Sequence, residues 1–295
     1  MKTISIRRLL VWGLLTLVLL SCNLSAPSQP TVAPSVITVN AVPQPTETPP
    51  PPPSPTVPPP PTESPTPALP FIEYQGVRFS YSPMIAANVS VETVPASPES
   101  NNTPYWDRFP EHLKFTFNGY LLAKTFHEAP VWVYPVQGLQ QKSEGATMVI
   151  AELRQVLTNR PQAPESLPML PIFNAAQLLR VQVSYLRFGS GQGVRYLSQY
   201  AQYAAPINNK ELFYTFQGIT DDGRYYVAAV MPISHPNLPA DAETFMQGKD
   251  WNQFSEVYQP YVQEMARELN GFDGESFSPS LSQLDQIFSS LTINK

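Results

Sequence analysis

Eighteen of the chain's 35 prolines fall between Pro27 and Pro70. Proline fixes φ and has no amide N–H to donate. A segment holding the uninterrupted runs Pro49–Pro53 and Pro58–Pro61 can therefore enter neither a helix nor a central strand. From Asn23 to Pro70 the other residues are mainly Thr, Ser, Val and Ala, and Glu47 and Glu63 are the only charges. The aromatic and long apolar side chains needed to bury a core are missing. The segment reads as a stiff, solvated polyproline II spacer. At about 3.1 Å per residue it would span at most about 150 Å. The same prolines have one other use, as a PxxP ligand for a partner domain.

Ahead of the spacer, Lys2, Arg7 and Arg8 precede an apolar run from Leu9 to Leu20. Twelve residues are too few for a bilayer span, which takes about 20, but suit the apolar stretch of a secretory signal. The run ends in Leu19-Leu20-Ser21-Cys22, and Cys22 is the only cysteine of the chain. A lone cysteine excludes a disulfide framework, zinc ribbons and iron–sulfur clusters. The four residues resemble the lipobox of bacterial lipoproteins. That resemblance implies cleavage before Cys22, diacylglycerol on its thiol and acylation of the new N-terminus. Two or three acyl chains anchor stably where one is marginal. The competing readings are a simple signal peptide with an incidental cysteine, or an uncleaved anchor. Asn23 stands where an aspartate would mark inner-membrane retention in some Gram-negative bacteria. The expected organisation is a signal peptide over 1–21, a lipid-anchored tether over 22–70 and a globular domain over 71–295. The expected location is the extracytoplasmic face of the cell membrane, or the outer membrane in a host with two.

Residues 71–295 carry 15 basic and 21 acidic side chains, a net charge of −6 that argues against a nucleic-acid partner. Alternation predicts strands at Val77–Tyr81 and His112–Asn118, Val89–Val91 leads into Val94 as another, and Val131–Tyr134 is a short apolar strand between Pro130 and Pro135. Leu179, Val181, Val183 and Tyr185 share one face of a further period-two pattern. Gly189–Gly193 reads as the turn into a strand from Val194 to Tyr203. Glu211–Thr220 and Arg224–Met231 flank an Asp221-Asp222-Gly223 hairpin turn. Helices are expected at Ala146–Asn159, at Trp251–Leu269 between Asp250 and Gly271 as caps, and at the end of the chain with Ser278 as N-cap and Pro279 at the first position. In the last, Leu281, Leu284, Phe288 and Leu291 form an apolar stripe.

This order of elements predicts an α+β fold, an antiparallel meander with helices packed on its faces. Together with the closing Leu284–Ile293 segment, it resembles the PsbP-like fold. The resemblance implies helices on both faces of the sheet and carries over no catalytic residue, because members of that fold are largely binding and assembly proteins.

No catalytic motif stands out. His112, His127 and His235 lack metal-ligand spacing, and no GxSxG elbow occurs. Gly189-x-Gly191-x-Gly193 is followed by a strand rather than the helix that a phosphate loop requires. Asp221-Asp222-Gly223 lacks the further ligands of a calcium loop. No cofactor or metal is expected. The least ordinary feature is the crowding of tyrosines with Gln and Asn in the meander. Flat rings and amides suit a sugar or peptide ligand. Tyr196, Tyr200, Tyr203 and Tyr214 are therefore the candidate ligand-binding residues, and Cys22 is the lipidation site. The plainer reading is an amphipathic sheet with tyrosines at its edges. The functional expectation is a non-enzymatic binding or assembly module for an envelope glycan or protein, held to the membrane through Cys22. The alternative is an envelope hydrolase with a dispersed active site around His127 or His235.

Overall fold

A computed structural model describes residues 69–98 and 103–294. The signal peptide, Cys22 and the tether up to residue 68 lie outside the described residues. In chain order the strands and helices are β1 (Phe71–Tyr74), β2 (Val77–Ser80), β3 (Asn88–Val94), β4 (His112–Asn118), β5 (Pro130–Pro135), α1 (Val136–Lys142), α2 (Glu144–Asn159), β6 (Ala176–Gln177), β7 (Val181–Phe188), β8 (Gly191–Ser198), β9 (Tyr200–Ala201), β10 (Phe213–Thr220), β11 (Tyr225–Pro232), α3 (Ala242–Met246), α4 (Trp251–Glu256), α5 (Tyr258–Gly271), α6 (Leu281–Ser289) and β12 (Thr292–Ile293). Among the described residues no helix is long and apolar enough to cross a membrane.

The fold is α+β. Seven antiparallel strands form one sheet in the order β3-β4-β5-β11-β10-β8-β7. The chain lays down β3 to β5 from one edge, leaves through α1 and α2, restarts at β7 on the far edge and returns, so that β11 docks on β5. Strand alternation sends Val194 and Tyr196 of β8 and Tyr226 of β11 to the side covered by α1 and α2, where Ile150, Leu153 and Leu157 of α2 join them. The opposite side takes Leu197, Tyr214 and Phe216 against Leu284 and Phe288 of α6, with β2 and β12 alongside. Two covered faces leave all eight residues of β10 buried.

An ion pair sits in the α6 interface. The Arg195 guanidinium lies 3.2 Å from the Asp285 carboxylate, which also accepts the Tyr214 hydroxyl at 2.9 Å. Burial raises the Asp285 carboxyl above its ordinary value despite that cation. Each member of the cluster thus satisfies a polar group taken out of water.

Four local expectations are corrected. Leu179, Val181, Val183 and Tyr185 do not share a face. A bulge between Val181 and Ser184, with Gln182 at φ +54°, inserts one residue. Val181 packs with the α6 layer and Val183 and Tyr185 with the α2 layer. Asn270 Oδ1, at the end of α5, accepts the Gln182 amide at 2.7 Å and holds the bulge. Second, Gly191 and Gly193 are strand residues, and the turn is only Gly189-Ser190. A Cβ on Gly193 would sit 2.4 Å from the Phe216 ring, so the glycine makes room for that ring to lie on the sheet.

Third, the helix from Trp251 to Leu269 is two helices broken at Val257. In one continuous helix the Pro260 ring would strike the Glu256 carbonyl. The break places Pro260 in the first turn of α5, where no N–H is needed. Asp250 does cap α4, accepting from the amides of Asn252 and Gln253. Fourth, the cap of α6 is Ser280 rather than Ser278, in a reciprocal capping box with Gln283.

Candidate functional site

Beyond the edge of the α1–α2 layer, the same side of the sheet is open. Cross-strand pairing sets Glu92, Lys114 and Trp132 in a row across β3, β4 and β5. Lys114 reaches the carboxylates of Glu92 at 3.4 Å and Glu128 at 3.8 Å. The row floors a cleft of about 970 Å³. Its walls come from four separate stretches, through Trp106 and Phe109, Phe126 and His127, Ile172 and Phe173, and Tyr200 with Tyr203. Eight of the 23 lining residues are Phe, Tyr or Trp, with Asn174 and Gln202 as polar groups beside the charged floor.

His127 is a polar group set among the rings. Its imidazole stacks on Phe173 at 5.4 Å and meets the edges of Phe126 and Phe213 at 4.9 and 4.8 Å. Burial among these rings pulls its pKa down to about 4, so the ring is neutral near pH 7. Neither ring nitrogen hydrogen-bonds to a described residue. A neutral imidazole offers one donor and one acceptor, and both are available to a ligand.

The other histidines are committed. His112 Nδ1–H donates to the Pro110 carbonyl at 2.8 Å. His235 lies on the other side of the sheet, stacked 3.9 Å from Phe272. Ser276 Oγ is 3.1 Å from its Nε2, which brings a serine and a histidine into contact. The tautomer is wrong for a catalytic base. Nδ1 accepts the Asn237 amide at 3.2 Å, so Nε2 carries the proton and donates it to the serine, whose own proton goes to the Asp273 carbonyl. Among the described residues no group of three or more His, Cys, Asp or Glu side chains is placed to hold a metal ion.

The four candidate tyrosines do not come together. Tyr196 and Tyr214 are fully buried on opposite sides of the sheet. Tyr196 donates to the Pro168 carbonyl at 2.8 Å and Tyr214 to Asp285, so both hydroxyls are used internally. The expectation that they present rings to a ligand is thereby corrected. With both faces covered at β8 and β10, alternation sends such rings into one core or the other. Tyr200 and Tyr203 do line the cleft. Tyr200 belongs to a two-stranded sheet with β6 and packs against Phe173 at 5.0 Å and Phe213 at 6.0 Å. Tyr203 is 54% exposed and stands edge-on to Trp251 at 6.0 Å.

Trp106, Trp132 and Phe173 were not among the residues expected from the sequence, and His127 was named there only for the hydrolase alternative. Trp132 left a signal: alternation puts Trp132 and Tyr134 on the face opposite Val131 and Val133. The loop residues left none, because only the fold brings stretches from 106 to 203 around one cleft. Compared with protein-family models, curated proteins and solved structures, the chain matches none.

Proposed function

We propose that this chain is a lipid-anchored, extracytoplasmic binding module, held through Cys22 and displayed on its proline-rich spacer, and that the aromatic cleft takes a glycan of the cell envelope. The observation that carries the reading is the cleft floored by Trp132 and walled by Trp106, Phe173 and Tyr200. Sugar rings present flat C–H faces that stack on aromatic rings. Their hydroxyls need the few fixed polar groups found here, the free nitrogens of His127 and the Lys114–Glu92 pair. A spacer of this length would hold such a site away from the lipid surface, within reach of a wall polymer.

The test has two arms. Full chain in non-ionic detergent is titrated with a neutral N-acetylhexosamine tetrasaccharide and followed by tryptophan fluorescence. Trp132→Ala and Tyr200→Ala should each weaken binding about tenfold. Binding that neither substitution changes would remove the cleft from the reading. In cells, Cys22→Ser should abolish fatty-acid labelling and release the chain from membranes. A Cys22→Ser protein that still labels and sediments would end the anchoring part.

A further inference from the structure

The ridge formed by Phe173–Gln177 and Tyr200–Ala204 has a second side. There, between the two-stranded sheet and α5, lies another cleft of about 840 Å³. The two clefts share Phe173, Asn174, Ala175, Ala201, Gln202 and Tyr203, so one extended ligand can straddle the ridge. Their chemistry differs. The aromatic cleft includes the carboxylates of Glu92, Asp107 and Glu211, whereas no carboxylate lines the second. In a domain with 21 acidic and 15 basic side chains, a cleft of that size without an acid is a departure from the average surface.

Arg180 projects from this lining. Among the described residues no carboxylate lies within 4 Å of its guanidinium, and its one hydrogen bond runs from Nη1 to Gln177 Oε1 at 3.2 Å. A guanidinium carries five N–H donors in a planar fork that matches an oxyanion. Four of them are uncommitted here. The side chains of Asn174 and Gln259 and the Tyr203 hydroxyl also line the cleft, and none is hydrogen-bonded to a described residue. The lining therefore offers a half-buried cation, two amides and a hydroxyl, and no carboxylate.

We infer that this second cleft is an oxyanion-binding subsite, and that the glycan stacked across the ridge is an anionic one whose carboxylate or phosphate is held by Arg180. The inference rests on the glycan reading of the aromatic cleft. Arg180 would take the anion through charge-assisted, two-point contact, which neutral donors alone supply more weakly. Asn174 and Gln259 would complete the donor set.

The experiment titrates full chain in non-ionic detergent, by calorimetry, with three probes. One is the neutral N-acetylhexosamine tetrasaccharide. The second is a tetrasaccharide of similar length in which every other sugar is a uronate. The third is a short glycerol phosphate oligomer. The uronate or the phosphate probe should bind about tenfold tighter than the neutral one, and whichever does so identifies the source of the charge. Arg180→Gln should erase the difference while leaving neutral binding within twofold. Arg180→Lys should keep part of it, and 0.5 M salt should shrink it. Far-UV circular dichroism and a melt establish that both variants are folded. If neutral binding persists and neither anion is preferred, or if the preference survives Arg180→Gln, the subsite is refuted and the glycan reading stands. If none of the three probes binds, both fall.

Discussion

Gln217 is the buried side chain through which the sheet holds one wall of the aromatic cleft, and Gln217→Leu should reveal how much depends on it. The residue is fully buried in β10, with its side chain on the α2 side. Its Oε1 accepts the Leu170 amide at 2.9 Å and the Tyr226 hydroxyl at 2.7 Å. Its Nε2 donates to the Leu170 carbonyl at 3.0 Å and to Thr215 Oγ1 at 2.8 Å. Leucine fills a similar volume, so packing changes little. What is lost is the partner of three buried groups, namely both backbone groups of Leu170 and the Tyr226 hydroxyl. Thr215 keeps its bond to the Ala229 carbonyl. An orphaned buried polar group costs about 1–3 kcal/mol. Three in one spot, with some relaxation of the segment around Met169 and Leu170, should cost about 3–5 kcal/mol. That is a large part of the 5–15 kcal/mol typical of a domain. Urea unfolding should show a lower midpoint at unchanged slope. A loss under about 1 kcal/mol would mean that the three groups find other partners, and that Gln217 does not pin this wall. Because Leu170 leads directly into Pro171, Ile172 and Phe173, the variant should also bind glycan more weakly at temperatures where it remains folded.

Gly193→Ala should cost about 1–3 kcal/mol, because the new methyl would sit 2.4 Å from the Phe216 ring and 2.8 Å from the Gln217 carbonyl oxygen. A melt displaced by less than 1 °C would show that the ring has room to yield. For His127 the pKa is lowered to about 4 from 6.5. Between those values the unfolded chain binds a proton that the folded chain does not, so stability falls as pH drops through this window, by up to about 3 kcal/mol at pH 4. His127→Phe should remove that part of the slope in urea melts run at pH 7 and pH 4.5. Equal losses in the two proteins would place the pH dependence elsewhere.

Local signals carried much of the fold. The period-two pattern of His112–Asn118 coincides with β4 to the residue, because alternation on a sheet with one buried side is written into every second side chain. The hairpin at Asp221-Asp222-Gly223 and the cap at Asp250 were legible for the same reason, since each depends on a few neighbours along the chain. Two of the expectations that needed correction turned on distant contacts. The bulge at Gln182 answers to the end of α5, which supplies the Asn270 acceptor. Gly191 and Gly193 are set by Phe188 and Phe216, whose rings occupy the space above them. The break at Val257 was foreseeable, because Pro260 is incompatible with a helix that begins nine residues earlier.

Sequence by itself determined that a helix-forbidding proline segment precedes a domain of alternating strands, and that the domain is α+β. Those properties follow from φ, from hydrogen-bond donors and from the spacing of apolar side chains, all of them local. Tertiary structure alone decided which aromatic residues meet a ligand. Tyr196 and Tyr200 are four residues apart, yet one is sealed beneath α2 and the other lines a cleft. A ring's exposure depends on what the chain lays over it, and here that cover comes from a helix some forty residues upstream. The same holds for charge. Nothing near Arg180 in the sequence says that it lacks an acidic partner, because only the packing of α5 on β7, across a cleft from β6 and β9, determines which side chains come within its reach.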